Sequence, residues 1–208
     1  MAVILSVNKE RGKMRIAIAG CDEVLLPLSM YRQRPLQEGD DIDLEEFEHW
    51  VLLHQYRPAL DRAVGLLAAR AHSRKEIEDK LRRSCYHPST IEMVLYKLEK
   101  EHLLDDADFA RQWVEARLSR KLGRTRIAQE LRRKGISADE AQAALEDVSD
   151  EEQLDAALSL AEKAAQRIKP GEDPRKSAQR IAGMLVRRGF NWDVARQAID
   201  RVLKDIDE

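Results

Sequence analysis

Ile77, Ile127 and Ile181 can be set in one column, and the neighbouring columns then fill without a gap: Leu81 with Leu131 and Leu185, Tyr86 with Ile136 and Phe190. The register runs on through Leu95, Leu145 and Ile199 and through Leu98, Val148 and Val202, while Ser89, Asp139 and Asp193 coincide near the start of the last helix of each copy. Gly135 and Gly189 share the position between second and third helices, where a left-handed residue ends a helix. Cys85 stands there in the first copy, so that turn has to be made differently or under strain. Apolar residues recurring at helical spacing in copies of this length describe three-helix units that cannot bury every face alone and therefore stack. The expected fold is mainly α: three tandem three-helix repeats forming an elongated, curved array.

Only the beginning of the chain departs from this pattern. Val3–Val7 and Met14–Ala19 are β-branched, apolar runs joined by NKERGK, with Gly12 able to supply a positive φ, which predicts a β-hairpin. Gly20-Cys21-Asp22 breaks the second strand, and a short third strand is expected before Pro27 or Pro35. Asp41 or Asp43 is placed to cap a helix whose first turn is rich in Glu. We therefore expect a β-rich N-terminal extension with a closing helix at 1–56, followed by repeats at 57–104, 105–148 and 149–208. The first repeat should open with a helix striped by Leu60, Val64, Leu67 and Ala71. Ser73 and Glu76, Ser89 and Glu92, and Ser149 and Glu152 have the spacing of capping boxes, each opening a helix. The KPGEDPRK stretch inserts a loop into the third copy.

Charge bears on function. The 208 residues carry 36 Lys and Arg against 38 Asp and Glu, and the resulting net charge of −2 averages an acidic N-terminal third with a basic middle. In the second repeat Arg117, Arg120, Lys121, Arg124, Arg126, Arg132, Arg133 and Lys134 meet few acids, chiefly Glu115 and Glu130. Arg82 and Arg83 in the first repeat, and Arg187 and Arg188 in the third, precede the same turn. These twelve residues form the candidate binding surface, a basic strip able to follow a phosphate backbone or an acidic polymer.

Leu103-Leu104-Asp105-Asp106-x-x-Phe109-Ala110, taken with Glu130-Leu131-x-x-Lys134-Gly135-Ile136, resembles the RecX family of regulators of the RecA recombinase. The likeness covers residues 57–203 as three repeats, and the hairpin resembles the β-rich extension of longer members. It implies a protein that lies in the groove of the RecA filament on single-stranded DNA, bridges protomers, and suppresses ATP hydrolysis and strand exchange. Inhibition as the direction of regulation comes from the resemblance alone. Cys85 and the acidic N-terminal unit depart from the family pattern. A RecA filament, single-stranded DNA and secondarily duplex DNA are the partners implied, with roles in homologous recombination, DNA repair and the SOS response; a monomer is expected.

Other constellations point to structure. His49, His54, His72, His87 and His102 are dispersed, so no metal site is expected. Cys21 and Cys85 lack CxxC spacing, which suits two reduced thiols. Asp105, Asp106 and Asp108 lie where a helix start favours negative charge. Trp113 shares a helix face with Phe109 and belongs to a core, whereas Trp192 sits at a turn. No P-loop, GxGxxG, GxSxG or HExxH is present, so neither an enzyme nor a cofactor is expected. The opening residues lack a basic leader and no apolar run has membrane-spanning length, which suits a cytoplasmic protein. A stand-alone DNA-binding protein of helix-turn-helix type is the alternative reading.

Overall fold

The computed structural model describes residues 1–21, 23–168 and 172–207, and among them it has four strands and ten helices. The chain divides into two compact units, Met1–Asp105 and Asp106–Glu208.

The first unit begins with an antiparallel sheet in the order β3-β2-β1-β4. Strands β1 (Ala2–Glu10) and β2 (Lys13–Ile18) are joined by Arg11 and Gly12, both at positive φ (44° and 82°), the two-residue turn whose twist matches the strands. β3 (Val24–Pro27) pairs with β2, and the short helix α1 (Leu28–Tyr31) follows. β4 (Asp41–Ile42) pairs with Ala2 and Val3; two residues carry no periodicity, so the sequence does not announce this strand. Asp22, in the expected turn after β2, lies outside the described residues.

Helix α2 (Leu44–Ala69) is capped by Asp43, whose carboxylate accepts from the backbone N–H groups of Glu45 and Glu46 at 3.0 and 3.2 Å. Its buried file is Phe47, Val51, Gln55, Ala59 and Ala63, four residues apart throughout. Phe47 and Val51 join Ile4, Ile16, Ile18 and Leu26 in the sheet core, whereas Ala59 and Ala63 pack with Ile77, Leu81, Leu95 and Leu98. One helix thus serves both the sheet and the first repeat, and the boundary drawn at residue 56 falls inside it. Pro58 does not break it. The expected stripe is corrected as well: the buried file of α2 runs through Ala59 and Ala63, so Leu60 and Leu67 are only partly buried beside it, Val64 is 42% exposed, and Ala71 lies beyond the end of the helix.

Helices α3 (Arg74–Arg83) and α4 (Pro88–Lys100) complete the first repeat. Ser73 caps α3 through the Glu76 N–H. Ser89, by contrast, is not a cap: α4 starts at Pro88 behind His87, and the Ser89 hydroxyl instead meets His87 Nδ1 at 2.6 Å. Proline at the first helical position needs no donor of its own and moves the start back by two residues.

The second unit holds two repeats: α5 (Asp106–Leu118), α6 (Arg124–Arg133) and α7 (Ala138–Glu146), then α8 (Asp150–Ala165), α9 (Pro174–Arg187) and α10 (Trp192–Asp207). Ser149 with Glu152 forms the expected capping box, and Ser137 with Glu140 forms another on α7. Asp106 and Asp108 lie in the first turn of α5. In the insertion, Lys169–Gly171 lie outside the described residues, and Asp173 caps α9. The column alignment is geometrically real. Tyr86, Ile136 and Phe190 each donate from backbone N–H to the carbonyl of Leu81, Leu131 and Leu185 (3.3, 3.1 and 3.2 Å), the long back-bond of a left-handed helix end. The intervening residues Cys85, Gly135 and Gly189 all have positive φ (64°, 85° and 90°), so Cys85 makes the same turn under strain.

A basic junction between the second and third repeats

The start of α6 leaves backbone N–H groups without helical partners, and the end of α9 leaves carbonyls in the same position. In the second unit these two ends meet. Gly123 N–H donates to Arg188 O at 2.9 Å and Thr125 N–H donates to Gly189 O at 3.2 Å. Between them Arg124 N–H donates to the Gln153 side-chain oxygen at 3.0 Å. The positive end of α6 thereby faces the negative end of α9. So close an approach of backbones leaves no room for side chains: a Cβ on Gly123 would fall within the Gly189 carbonyl, and one on Gly189 within Arg126.

Around this contact the fold gathers six of the twelve candidate cations. The Arg188 guanidinium donates to Arg120 O at 3.3 Å, and that of Arg126 reaches Arg187 O at 3.5 Å. Lys121 Nζ donates to the Ser159 hydroxyl. Arg124 pairs with Asp150 at 2.5 Å. Among the described residues no carboxylate lies within ion-pair distance of Arg120, Arg187 or Arg188, so the junction carries an excess of positive charge.

The remaining candidates divide. Arg132 and Arg133 are exposed in the last turn of α6, and Arg133 donates to Gln129 O at 3.3 Å. They lie about 12 Å beyond Arg124 along the helix, at 1.5 Å per residue. Arg117 and Lys134 turn inward. The Arg117 side chain is 17% exposed, its guanidinium lies 3.8 Å from the Trp113 ring centroid, and Nε meets Glu130 at 2.6 Å. Lys134 Nζ stands 4.6 Å from the same ring centroid. Trp113 also stacks on Phe109 at 5.6 Å and donates its indole N–H to Glu130 at 3.2 Å. Burial alone would push the Glu130 carboxyl upward, but the hydrogen bond and charge of Arg117, helped by Arg126 and Trp113, hold it below the ordinary value. These groups brace the repeat. Arg82 and Arg83 lie in the first unit, Arg82 paired with Glu78 at 2.6 Å and Arg83 bonded to Asp79 O at 3.0 Å.

Sequence reasoning overlooked Gly123, Gln153 and Ser159. A signal for Gly123 was present in the columns, where it falls between Ser73 and Ser177. Ser73 caps α3, and the glycine that takes its place at the start of α6 marks a position where another backbone comes close. Among the described residues no group of three or more His, Cys, Asp or Glu could hold a metal ion, and no helix is long and apolar enough to cross a membrane. Both cysteines are free thiols.

The chain matches family models described as the first, second and third three-helix domains of RecX at residues 59–98, 105–145 and 150–199. The regulatory protein RecX of Prosthecochloris aestuarii is 38% identical over 148 residues, 71% of this chain and 95% of its own length. That of Corynebacterium efficiens is 37% identical over 154 residues, covering 70% and 73%. The Leuconostoc mesenteroides protein is 28% identical over 212 residues and spans 98% of this chain. A crystal structure of a regulatory protein RecX superposes with a TM-score of 0.67 at 25% identity, covering 96% of this chain and 100% of that one. RecX from Lactobacillus salivarius also gives 0.67, at 28% identity over 72% and 97%. With all three repeats matched in order and relatives covered over most of their length, the chain belongs to the RecX family of regulatory proteins.

Proposed function

We propose that the protein binds the RecA filament on single-stranded DNA and slows its ATP hydrolysis and strand exchange, acting as a cytoplasmic, non-enzymatic regulator of recombination. Family membership supports the partner. The observation that carries the mechanism is the junction, where two repeats bring Arg120, Lys121, Arg124, Arg126, Arg187 and Arg188 together with only Asp150 and Glu130 in ion-pair contact among the described residues. Such a surface suits a phosphate backbone or the acidic wall of a filament groove. A protein bridging protomers in one filament state opposes turnover by no more than its preference for that state. Arg132 and Arg133 extend the surface along α6, whereas Arg117 and Lys134 support it from within.

The test is the rate of single-strand-dependent ATP hydrolysis by the cognate RecA as the protein is titrated well below one per RecA. A fall at these ratios is the expected result. No change in rate with folded protein, together with salt-dependent binding to duplex DNA alone, would replace this reading with that of a stand-alone helical DNA-binding protein.

A further inference from the structure

Helices α9 and α10 flank an open groove of about 640 Å³ that shares with the basic junction only Arg187 at its edge, lined by Ala178, Ala182, Gly183, Val186, Trp192 and Ile199. Val186 and Trp192 are 46% and 62% exposed. The other repeats provide an internal comparison. In the register that aligns Ile181 with Ile127 and Ile77, Val186 stands where they carry Arg132 and Arg82, Trp192 where they carry Ala138 and Pro88, and Gly183 where they carry Gln129 and Asp79. The scaffold therefore accepts charged, polar or small residues at these places. Only the third repeat puts an indole and a valine beside a floor of alanine and glycine, the composition of an anchoring pocket.

Size and charge select the occupant. A stable dimer buries about 800 Å² on each partner, more than this groove presents, whereas volumes of about 300–1,000 Å³ suit a ligand or a few side chains of a peptide. Cation exceeds acid at the rim by one: Arg196 on α10 lines the groove opposite Asp200, and the Arg187 guanidinium, at the edge shared with the junction, lies beside Gly183. Asp200 opposes them, but at 3.8 Å from Arg196, with both side chains more than 60% exposed, it forms a loose pair. We propose that this groove docks an acidic peptide segment of a partner protein. Its large apolar side chains would seat against Trp192 and the Ala182–Gly183 floor, and its carboxylates would meet Arg187 and Arg196. This reading goes beyond filament binding and does not depend on it.

The experiment uses the full chain and a fluorescein-labelled peptide of aspartate and glutamate carrying one leucine and one phenylalanine four positions apart, followed by fluorescence anisotropy. The intact protein should bind it about tenfold more tightly than a peptide with serine at both apolar places, the scale set by one or two buried anchors. The double variant Val186→Ser, Trp192→Ala removes both exposed apolar anchors without changing the charge and should lose about the same factor with unchanged helicity. Should it lose helicity, Trp192→Ala alone tests the same contact. Equal binding of the serine peptide, or undiminished binding by the variants, overturns the proposal. So does a variant that keeps the peptide but loses oligo(dT), which would make the groove a nucleic-acid surface. Concentration-dependent dimerisation abolished by Trp192→Ala would assign the groove to a second copy and overturn it equally.

Discussion

Replacing Gly189 by alanine tests the junction on which the basic surface depends. Gly189 has φ +90° and a β-carbon there would overlap the backbone of Arg126. A non-glycine residue in the left-handed region costs roughly 1–2 kcal/mol by itself. The overlap can be relieved only if the start of α6 and the end of α9 separate, which opens the Gly123 to Arg188 and Thr125 to Gly189 hydrogen bonds of 2.9 and 3.2 Å. At about 1 kcal/mol net each, these add about 2 kcal/mol. The expected loss is therefore roughly 3–4 kcal/mol, a large part of the ~5–15 kcal/mol typical of a folded domain. Gly20 is the control: it has φ +77° with nothing within 4 Å of a β-carbon, so Gly20→Ala should lose only the backbone contribution. Urea unfolding of both variants, with hydrogen exchange at the Gly123 and Thr125 amides, measures the difference. Equal losses from the two substitutions, or undiminished protection of those amides in Gly189→Ala, would refute the close-approach argument.

The other predictions concern single contacts. Cys85→Gly relieves a left-handed non-glycine residue and should stabilise the first unit by roughly 0.5–1 kcal/mol; an unchanged or lower unfolding midpoint would mean that the 2.8 Å contact from Lys13 Nζ to Cys85 Sγ holds the turn instead. Glu130→Ala leaves Arg117 over Trp113 without its carboxylate and should cost about 1–3 kcal/mol at neutral pH. Because the folded carboxyl is held below its ordinary value, that stabilisation is complete above about pH 4.3 and is lost as pH falls through the depressed value, so wild type and variant should converge in acid. A gap that persists there would contradict the assignment. Burial holds the His72 and His87 rings below the ordinary imidazole value, so the unfolded chain takes up these protons first. Their contribution is full above about pH 6.5 and falls away as pH drops through the window beneath it. Charging His87 would also place a cation at the start of α4, so His87→Gln should flatten the dependence of the melting temperature between about pH 7.5 and 5.5; an equally steep dependence would exclude it. Substituting Arg120, Arg132, Arg133 and Arg187 with alanine should lower the salt slope of single-strand binding by about 0.7 for each phosphate that is no longer neutralised, and a slope that does not move would remove them from the surface.

What could be read from the chain was local. Turn residues, capping spacings and apolar periodicity act within a few positions, so the hairpin turn at Gly12, the Ser149 cap and the left-handed turns at Gly135 and Gly189 were visible in residue order, whereas Cys85 left open whether its turn is made differently or under strain. The start of α4 was misplaced within that same local range, because proline at the first helical position competes with a serine cap two residues later. Continuity of α2 through Pro58 was hidden for another reason: a composition change marks two cores, and one helix serves both. The fate of each cation was settled further away. Arg117 reaches Glu130, Arg124 reaches Asp150 and Arg188 reaches Arg120 only because whole helices are packed against one another. Charge in residue order therefore marked the basic region, but which arginines brace the repeat and which remain for a partner depends on packing. Helices repeat because their hydrogen bonds close within four residues; the junction exists because Gly123 and Gly189, far apart along the chain, let two helix ends satisfy each other.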